Sequence, residues 1–420
     1  MGRTAFFLRA YNDIDHIAPV IWKFIKKGEK PIVIFHTDVD YENDYRIKFL
    51  LSEGGVEIIR VLDAQYMKSQ QSSPSLFSKI IKRLYNLKRN PKSLFGRIHR
   101  KLFFDCNEEI EYLLYNNVTQ CVFEWATPYI RGEVIERYFI AAKGQGITTL
   151  CIPHGCNMFI HSDVNSSYRK SMISGRVPNL IDRNEYDYYI IQNPFRRDGW
   201  VKWGSNPIST FAWGSARWCP EWQQINQKIC PEFVPKKDPG ERYKIVFMQY
   251  QNNYNIEVDL IWSLLSVIAS DHRIQLLIKD STRHGTQYSS KQFIQNHGNN
   301  DNVEFVGNEA NSPALIEWSD SVIAFGSSIG IEALCQNKPL INSHYLISNR
   351  THFEKFNAAL NAGSETDVIS YIEKLINDSD YNVQDKGKQK LFREFVYGGE
   401  ENHDVLESYY SKITNEYLLY

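Results

Sequence analysis

The stretch FGSSIGIEALCQNKPLIN, Phe325 to Asn342, hands one apolar strand over to another through a glycine, two serines and a short helical run. The same alternation recurs along the chain on either side of it. Short Val/Ile/Leu/Phe runs bounded by turns appear as TAFFLRA (4–10), KPIVIFHT (30–37), VEIIRVL (56–62), QCVFEW (120–125), TTLCIPH (148–154) and YDYYIIQN (186–193). A second series follows as YKIVFMQY (243–250), IQLLIKD (274–280), VEFVG (303–307), DSVIAFGS (320–327) and KPLINS (338–343). Such nearly continuous runs suit strands buried on both faces of a parallel sheet. Between them, DIDHIAPVIWKFIKKG and RGEVIERYFIAAKGQG carry apolar residues at helical spacing and stop at glycine. Strand and helix alternating in this way predict doubly wound α/β domains.

The chain has 420 residues, too many for one ordinary core and suited to two domains of roughly 150 to 220 residues. Proline, lysine and aspartate cluster without periodicity in PEFVPKKDPGERY (231–243), which places the expected boundary there. The expected parts are residues 1–235, residues 236–390, and a pair of helices over 391–420 broken at Gly398–Gly399. A net charge of −1 gives no overall attraction to nucleic acid, and none is expected as a partner. The seven cysteines form no CxxC pair and sit mostly in apolar contexts, as reduced core residues of a cytosolic protein do. The apolar run in MGRTAFFLRAYND is too short for a signal peptide, and no stretch approaches the length of a membrane span. A cytoplasmic location follows as the expectation. One segment is lopsided: residues 64–104 hold ten Lys/Arg and no Asp or Glu, interleaved with Leu76, Phe77, Ile80, Ile81, Leu84, Tyr85 and Leu87. That composition suits a peripheral contact with an anionic membrane face, a grip on an acidic acceptor, or a solvated basic insertion.

In a doubly wound domain, ligands bind outside the carboxyl ends of the strands. Gly326-Ser327-Ser328 at such an end offers backbone N–H groups, two hydroxyls and the positive end of a helix, a set that suits a phosphate. Glu332, one turn on, can accept hydrogen bonds from ribose hydroxyls; the alternative is an N-cap serine on an ordinary helix with a surface glutamate. Lys279, Arg283 and His284 in IQLLIKDSTRHG make a second anion-binding group, Lys279 closing a strand and the other two following in the loop. In the first half, Glu124 closes a strand, Arg131 opens the next helix, and His154 stands just past a neighbouring strand. A carboxylate and an imidazole at neighbouring strand tips can act as acid and base. Asp38-Val39-Asp40 could hold a divalent cation, but it lies far along the chain from the serine loop, and no metal is expected. Arg196, Arg197 and Asp198 form a polar loop after a strand, read more readily as a solvated turn.

Taken together, these motifs resemble the GT-B fold of bacterial capsule and surface-polysaccharide glycosyltransferases. The resemblance is strongest over 119–160 and 274–345. SDSVIAFGSSIGIEALCQNKPLIN is similar to that family's sugar-nucleotide signature, which implies that Ser327 and Ser328 hold the donor phosphate and Glu332 the ribose. EWATPYIRGEVIERYFIAAKGQGITTLCIPHG resembles the acceptor-facing segment of capsular Kdo transferases and CDP-glycerol transferases, implying active-site roles for Glu124, Arg131 and His154. Transferases using CMP-sugars carry an acidic, a His-Pro and a Ser-Ser motif; here His284 is followed by glycine, so the second is missing. The resemblance also implies two Rossmann-like domains facing a cleft, with carboxy-terminal helices crossing back to the first. The leading expectation is thus a metal-independent transferase needing no cofactor. It would move a CMP-activated acidic sugar, Kdo or a nonulosonate, onto a glycan or lipid-linked glycan acceptor. Glu124 or His154 would serve as base, with Asp163 and Asp198 as further carboxylates to consider. The alternatives are a UDP-sugar 2-epimerase or UDP-sugar transferase of the same fold, and a non-catalytic scaffold in polysaccharide assembly.

Overall fold

The computed structural model describes residues 2–37, 40–61, 106–124, 128, 133–153, 179–238, 240–250, 255–279, 291–307, 310–378, 385–398 and 403–414. Among them the strands form two parallel sheets, each belonging to its own compact unit. The first contains β1 (Arg3–Leu8), β2 (Ile32–Phe35), β3 (Glu57–Arg60), β4 (Val118–Glu124), β5 (Thr148–Ile152), β6 (Tyr188–Ile191) and β7 (Thr210–Ala212). Their order is β3-β2-β1-β4-β5-β6-β7. Every neighbour pairs in parallel, as in Phe7 beside Ile34 of β2 and Phe123 of β4. Alternation sends Phe6 and Phe7 to opposite faces of the central strand. Phe7 stacks on Phe123 at 4.6 Å, while Phe6 meets Phe24 of the Tyr11–Lys26 helix edge-on at 5.5 Å. Both faces are therefore apolar, which explains the unbroken run AFFL.

The second sheet contains β8 (Tyr243–Met248), β9 (Ile274–Lys279), β10 (Val303–Val306), β11 (Ser321–Ala324), β12 (Leu340–Asn342) and β13 (Leu360–Asn361), in the order β10-β9-β8-β11-β12-β13. Ile245, Phe247, Leu276, Ile278, Ile323, Phe325 and Ile341 share one buried cluster with Leu264, Leu265 and Ile268 of the Val258–Ala269 helix. Each such side chain contributes roughly 1.5–3 kcal/mol of transfer free energy. The doubly wound α/β fold read from the alternation is the fold observed. β7 and β13, which the sequence reading passes over, are edge strands of three and two residues, too short to show a pattern.

The chain leaves the first unit between Cys219 and Pro220, and its last described helix, Val405–Ile413, belongs to that first unit again. The segment 231–243, expected as the boundary, lies within the second unit. The physical reason is Glu304 of β10: its carboxylate accepts from the backbone N–H of Lys236 at 3.0 Å and of Lys237 at 3.2 Å. The Lys237 ammonium also donates to the carbonyl of Val303 at 2.7 Å. The two expected tail helices form, with Gly398 at φ 80° ending Lys386–Tyr397. The Lys386–Tyr397 helix stays in the second unit, its Phe392 against Phe353 at 5.0 Å. The Val405–Ile413 helix crosses back and lies along the Tyr11–Lys26 helix, with Tyr410 edge-on to Phe24 at 5.1 Å. No helix among the described residues is long and apolar enough to cross a membrane. The basic segment 64–104 lies outside the described residues.

Candidate functional site

In each sheet the strand order reverses once, between β1 and β4 in the first and between β8 and β11 in the second. At such a point the connections leave toward opposite faces, opening a crevice at the carboxyl ends of the two strands. The candidate residues are best placed by these two positions, each within its own unit.

In the second unit, β11 ends at Ala324 and the chain turns through Gly326 at φ 67°, a torsion that side chains other than glycine's adopt only under strain. Ser327 and Ser328 follow, both half-buried, before the Ile329–Cys335 helix. Ser327 Oγ accepts from the backbone N–H of Ile329 at 3.3 Å, so it serves the start of the helix. Ser328 occupies the N-cap position itself, but with helical torsions and no side-chain cap bond. Its hydroxyl is thus not spent on capping, unlike the ordinary N-cap serine that was the alternative. Glu332 is not a surface charge: it is fully buried, on a helix that rests against β11 and β12. Lys279 closes β9 at the same sheet edge, 2% exposed, and its ammonium donates to the carbonyl of Gly307 beyond β10 at 2.6 Å. Across the reversal, Gln249 follows β8 and bonds through its N–H to the carbonyl of Lys279 at 3.0 Å, while Tyr250 lies edge-on to Phe325 at 6.3 Å. The serines, the buried glutamate and the lysine thus belong to one carboxyl edge. Arg283 and His284 lie outside the described residues.

In the first unit, Glu124 is the last residue of β4 and is 1% exposed. Facing it across the reversal is Arg9, immediately after β1, whose guanidinium reaches Glu124 Oε1 at 3.7 Å. Arg9 is held from behind by Asp13, whose buried carboxylate accepts from the N–H groups of Arg9 at 2.7 Å and Ala10 at 2.9 Å. That contact also satisfies backbone donors at the start of the Tyr11–Lys26 helix. His36, buried just past β2, donates its N–H to the carbonyl of Leu8 at 3.2 Å, and Thr37 Oγ1 bonds to the carbonyl of Arg9. Burial holds the Tyr186 phenol well above its ordinary pKa, with Cys151 and Glu124 acting in the same direction, so it stays neutral. The result is a buried carboxylate paired with a partly exposed arginine across the strand-order reversal. Arg9 was missed in the sequence because only the sheet order shows that β1 borders β4. Arg131, His154, Asp163 and Asp38 lie outside the described residues. Asp40 accepts from Asn43 Nδ2 at 3.0 Å in a local turn.

The residues Arg196, Arg197 and Asp198 form a helix, Pro194–Lys202, and not a turn. Asn193 caps it, accepting from the Arg196 N–H at 2.9 Å. Arg197 is committed to the carbonyls of Thr210 at 2.6 Å and Pro207 at 2.8 Å, and Asp198 is 70% exposed beside it. Of the three, Arg197 therefore ties the helix to the edge strand of the first sheet.

No family model and no curated protein matches the chain in sequence. Solved structures do match it in fold over its whole length. The UDP-GlcNAc 2-epimerase of Neisseria meningitidis, bound to UDP-GlcNAc, aligns with a TM-score of 0.56 at 13% identity and covers 100% of both chains. The UDP-N-acetylglucosamine 2-epimerase of Rickettsia bellii gives 0.56 at 14% identity, covering 99% of this chain and 97% of its own. The Anabaena protein HepE, in complex with UDP and glucose, gives 0.55 at 10% identity and covers 99% of both. The two-domain GT-B-like fold is thereby shown, shared with enzymes that act on nucleotide sugars. The same matches overturn the expected CMP-sugar capsule transferase, because the solved structures of this fold include UDP-sugar 2-epimerases and complexes with UDP. The Ser-Ser and acidic motifs behind that expectation are features of the fold's strand tips, and the one motif tied to cytidine, His-Pro, was the one missing.

Proposed function

We propose that the protein acts on a UDP-sugar as a 2-epimerase. The observation that supports this most is the alignment of both parallel-sheet units, over the full chain, with UDP-GlcNAc 2-epimerases, one of them bound to UDP-GlcNAc. The residues at the two strand-order reversals have the chemistry that such a reaction needs. Inverting C2 of a pyranose requires its C–H bond to break and re-form from the opposite face. The neighbouring C1 carries UDP as a leaving group, so a base can take the C2 proton as the C1–O bond breaks. A glycal and UDP result; return of UDP to C1 and of a proton to the other face of C2 completes the epimer, with atoms and charge balanced and no separate cofactor drawn upon.

In this reading, Ser327, Ser328 and the loop N–H groups bind the diphosphate and hold the UDP while it is detached. Glu332 accepts from the ribose. Lys279, with Arg283 and His284, adds positive charge at the same edge. Glu124, paired with Arg9, serves as base, with His154 and Arg131 as its partners in proton traffic and charge stabilisation. The test is direct: incubate the protein with UDP-GlcNAc and separate the products by chromatography. The C2 epimer should accumulate to a fixed ratio that is reached from either side. If UDP-GlcNAc and UDP-glucose are both returned unchanged after long incubation, the epimerase reading fails.

A further inference from the structure

The carboxyl edge of the second sheet carries a buried polar side chain that the proposed reaction leaves unused. Asn342, the last residue of β12, is 1% exposed, and its carboxamide nitrogen donates to Asn361 Oδ1 at 2.9 Å. Asn361 lies directly beside it in the register and donates in turn to Asn357 Oδ1 at 3.1 Å. Asn357 has a left-handed backbone at the end of the His352–Phe356 helix. In this ladder of three amides the Asn342 carboxamide stands with its nitrogen toward Asn361. With its nitrogen given to β13, its oxygen is left to find another donor, and the register neighbour on the other side, Ala324 of β11, has a side chain with nothing to donate. Among the described residues, Asn342 Oδ1 accepts no hydrogen bond. A buried amide oxygen without a donor is unfavourable and asks for one. Ser343, next along the chain, is also fully buried with an unpartnered hydroxyl, and its N–H donates to the carbonyl of Ala324 at 3.1 Å. That bond keeps the end of β12 beside the strand that leads to Gly326, Ser327 and Ser328.

Adjacent strands lie about 5 Å apart, so a ligand held by the serine loop has its neighbouring groups over the end of β12. The oxygen offers lone pairs only, and the buried Glu332 carboxylate lies on the helix covering β11 and β12. An anionic group is thus disfavoured there and a hydroxyl is favoured. We propose that Asn342 is a specificity residue, its oxygen accepting a hydrogen bond from a hydroxyl of the bound nucleotide sugar. The hydroxyl belongs to the ribose or to the glycosyl ring. This inference rests on the UDP-sugar reading and adds to it the residue that discriminates.

Titration calorimetry on the full chain tests it, using UDP, 2′-deoxy-UDP, 3′-deoxy-UDP, UDP-glucose and its deoxy-glucosyl analogues. The wild-type protein should prefer one hydroxyl-bearing ligand over its deoxy counterpart by about tenfold. Asn342→Leu, close in volume, should lose that preference and bind the deoxy ligand as the wild type does. A loss already seen with UDP assigns the hydroxyl to the ribose; a loss seen only with UDP-glucose assigns it to the sugar. Should Asn342→Leu not fold, Asn361→Leu leaves Asn342 in place, releases its orientation and should weaken the same preference. A wild-type protein that binds UDP but ignores every deoxy substitution overturns the inference while leaving the UDP-sugar reading intact. So does an Asn342→Leu protein with the wild-type preferences. If no uridine nucleotide binds the wild type, the UDP-sugar reading fails and the inference with it.

Discussion

Glu124 and Arg9 show how much of this site depends on single residues. A carboxylate that is 1% exposed needs a counter-charge, and Arg9 at 3.7 Å supplies one across the strand-order reversal. Glu124→Gln keeps the shape but removes the base, so turnover should fall about 10²- to 10⁴-fold in a product assay, with UDP binding by calorimetry unchanged. Equal loss of UDP affinity would place Glu124 in nucleotide binding instead. Gly326 tests the other unit. At φ 67° an alanine is strained by about 1–2 kcal/mol, so Gly326→Ala should lower the melting temperature and weaken UDP binding together. Unchanged UDP affinity in a folded Gly326→Ala protein would mean that the loop does not touch the diphosphate. At this scale residue types are legible in the sequence and their partners are not. Ser327, Ser328, Lys279 and Glu124 are legible because each stands at or just past the end of a recognisable apolar run, and Glu332 because it lies one turn into the helix that follows the serines. Arg9 and Asn342 stand in equivalent places, at the ends of AFFL and LIN, but their importance depends on which strand lies alongside, and one sequence does not contain that.

Among the elements, long buried strands announce themselves and short edge strands do not. Eleven strands are readable as apolar runs, whereas TFA at 210–212 and LN at 360–361 pair only because the sheet already presents an edge to them. The join between β5 and β6 gives a pH test. Asp187, just before β6, accepts from Thr149 N and Thr149 Oγ1, each at 2.8 Å, and from Lys143 Nζ at 2.6 Å. Burial alone would raise its pKa; the bonds from Lys143 and Thr149 outweigh burial and hold it below the ordinary carboxylate value. A depressed folded-state pKa contributes stability above the unfolded value of about 4, and that stability is lost as pH falls through the folded value. Asp187→Asn should therefore be less stable than wild type at neutral pH, and the two should converge below about pH 4 in urea denaturation. A constant gap down to low pH would show that the contribution is not ionic.

At the scale of the whole molecule, the carboxy-terminal segment completes the first unit. Tyr409 donates to the carbonyl of Gly214 at 3.0 Å and lies edge-on to Trp213 at 5.4 Å. Lys23 and Lys27 reach Glu407 at 3.4 and 2.8 Å. Ending the chain before Asp404 uncovers this face, and the melting temperature should fall by several degrees, since a loss of 2 kcal/mol moves a domain of this size by about 4–8 °C. An unchanged melt would show that the helix is dispensable to the unit it covers. That two parallel-sheet units exist was legible in strand-helix alternation; the nucleotide was not, because serines and carboxylates at strand tips suit a phosphate and a ribose whatever base is attached. The proposal of a uridine nucleotide, and with it of the reaction, rests on fold similarity to UDP-sugar epimerases.

Deuterium at C2 reads that reaction most directly. The protein is incubated with UDP-GlcNAc in heavy water and followed by proton NMR. Epimerisation through removal of the C2 proton predicts loss of the H2 signal from substrate and product alike, as solvent deuterium replaces it, together with new signals of the C2 epimer. An H2 signal that persists while UDP stays bound would contradict it: the protein would then hold the nucleotide sugar without touching its C2–H bond.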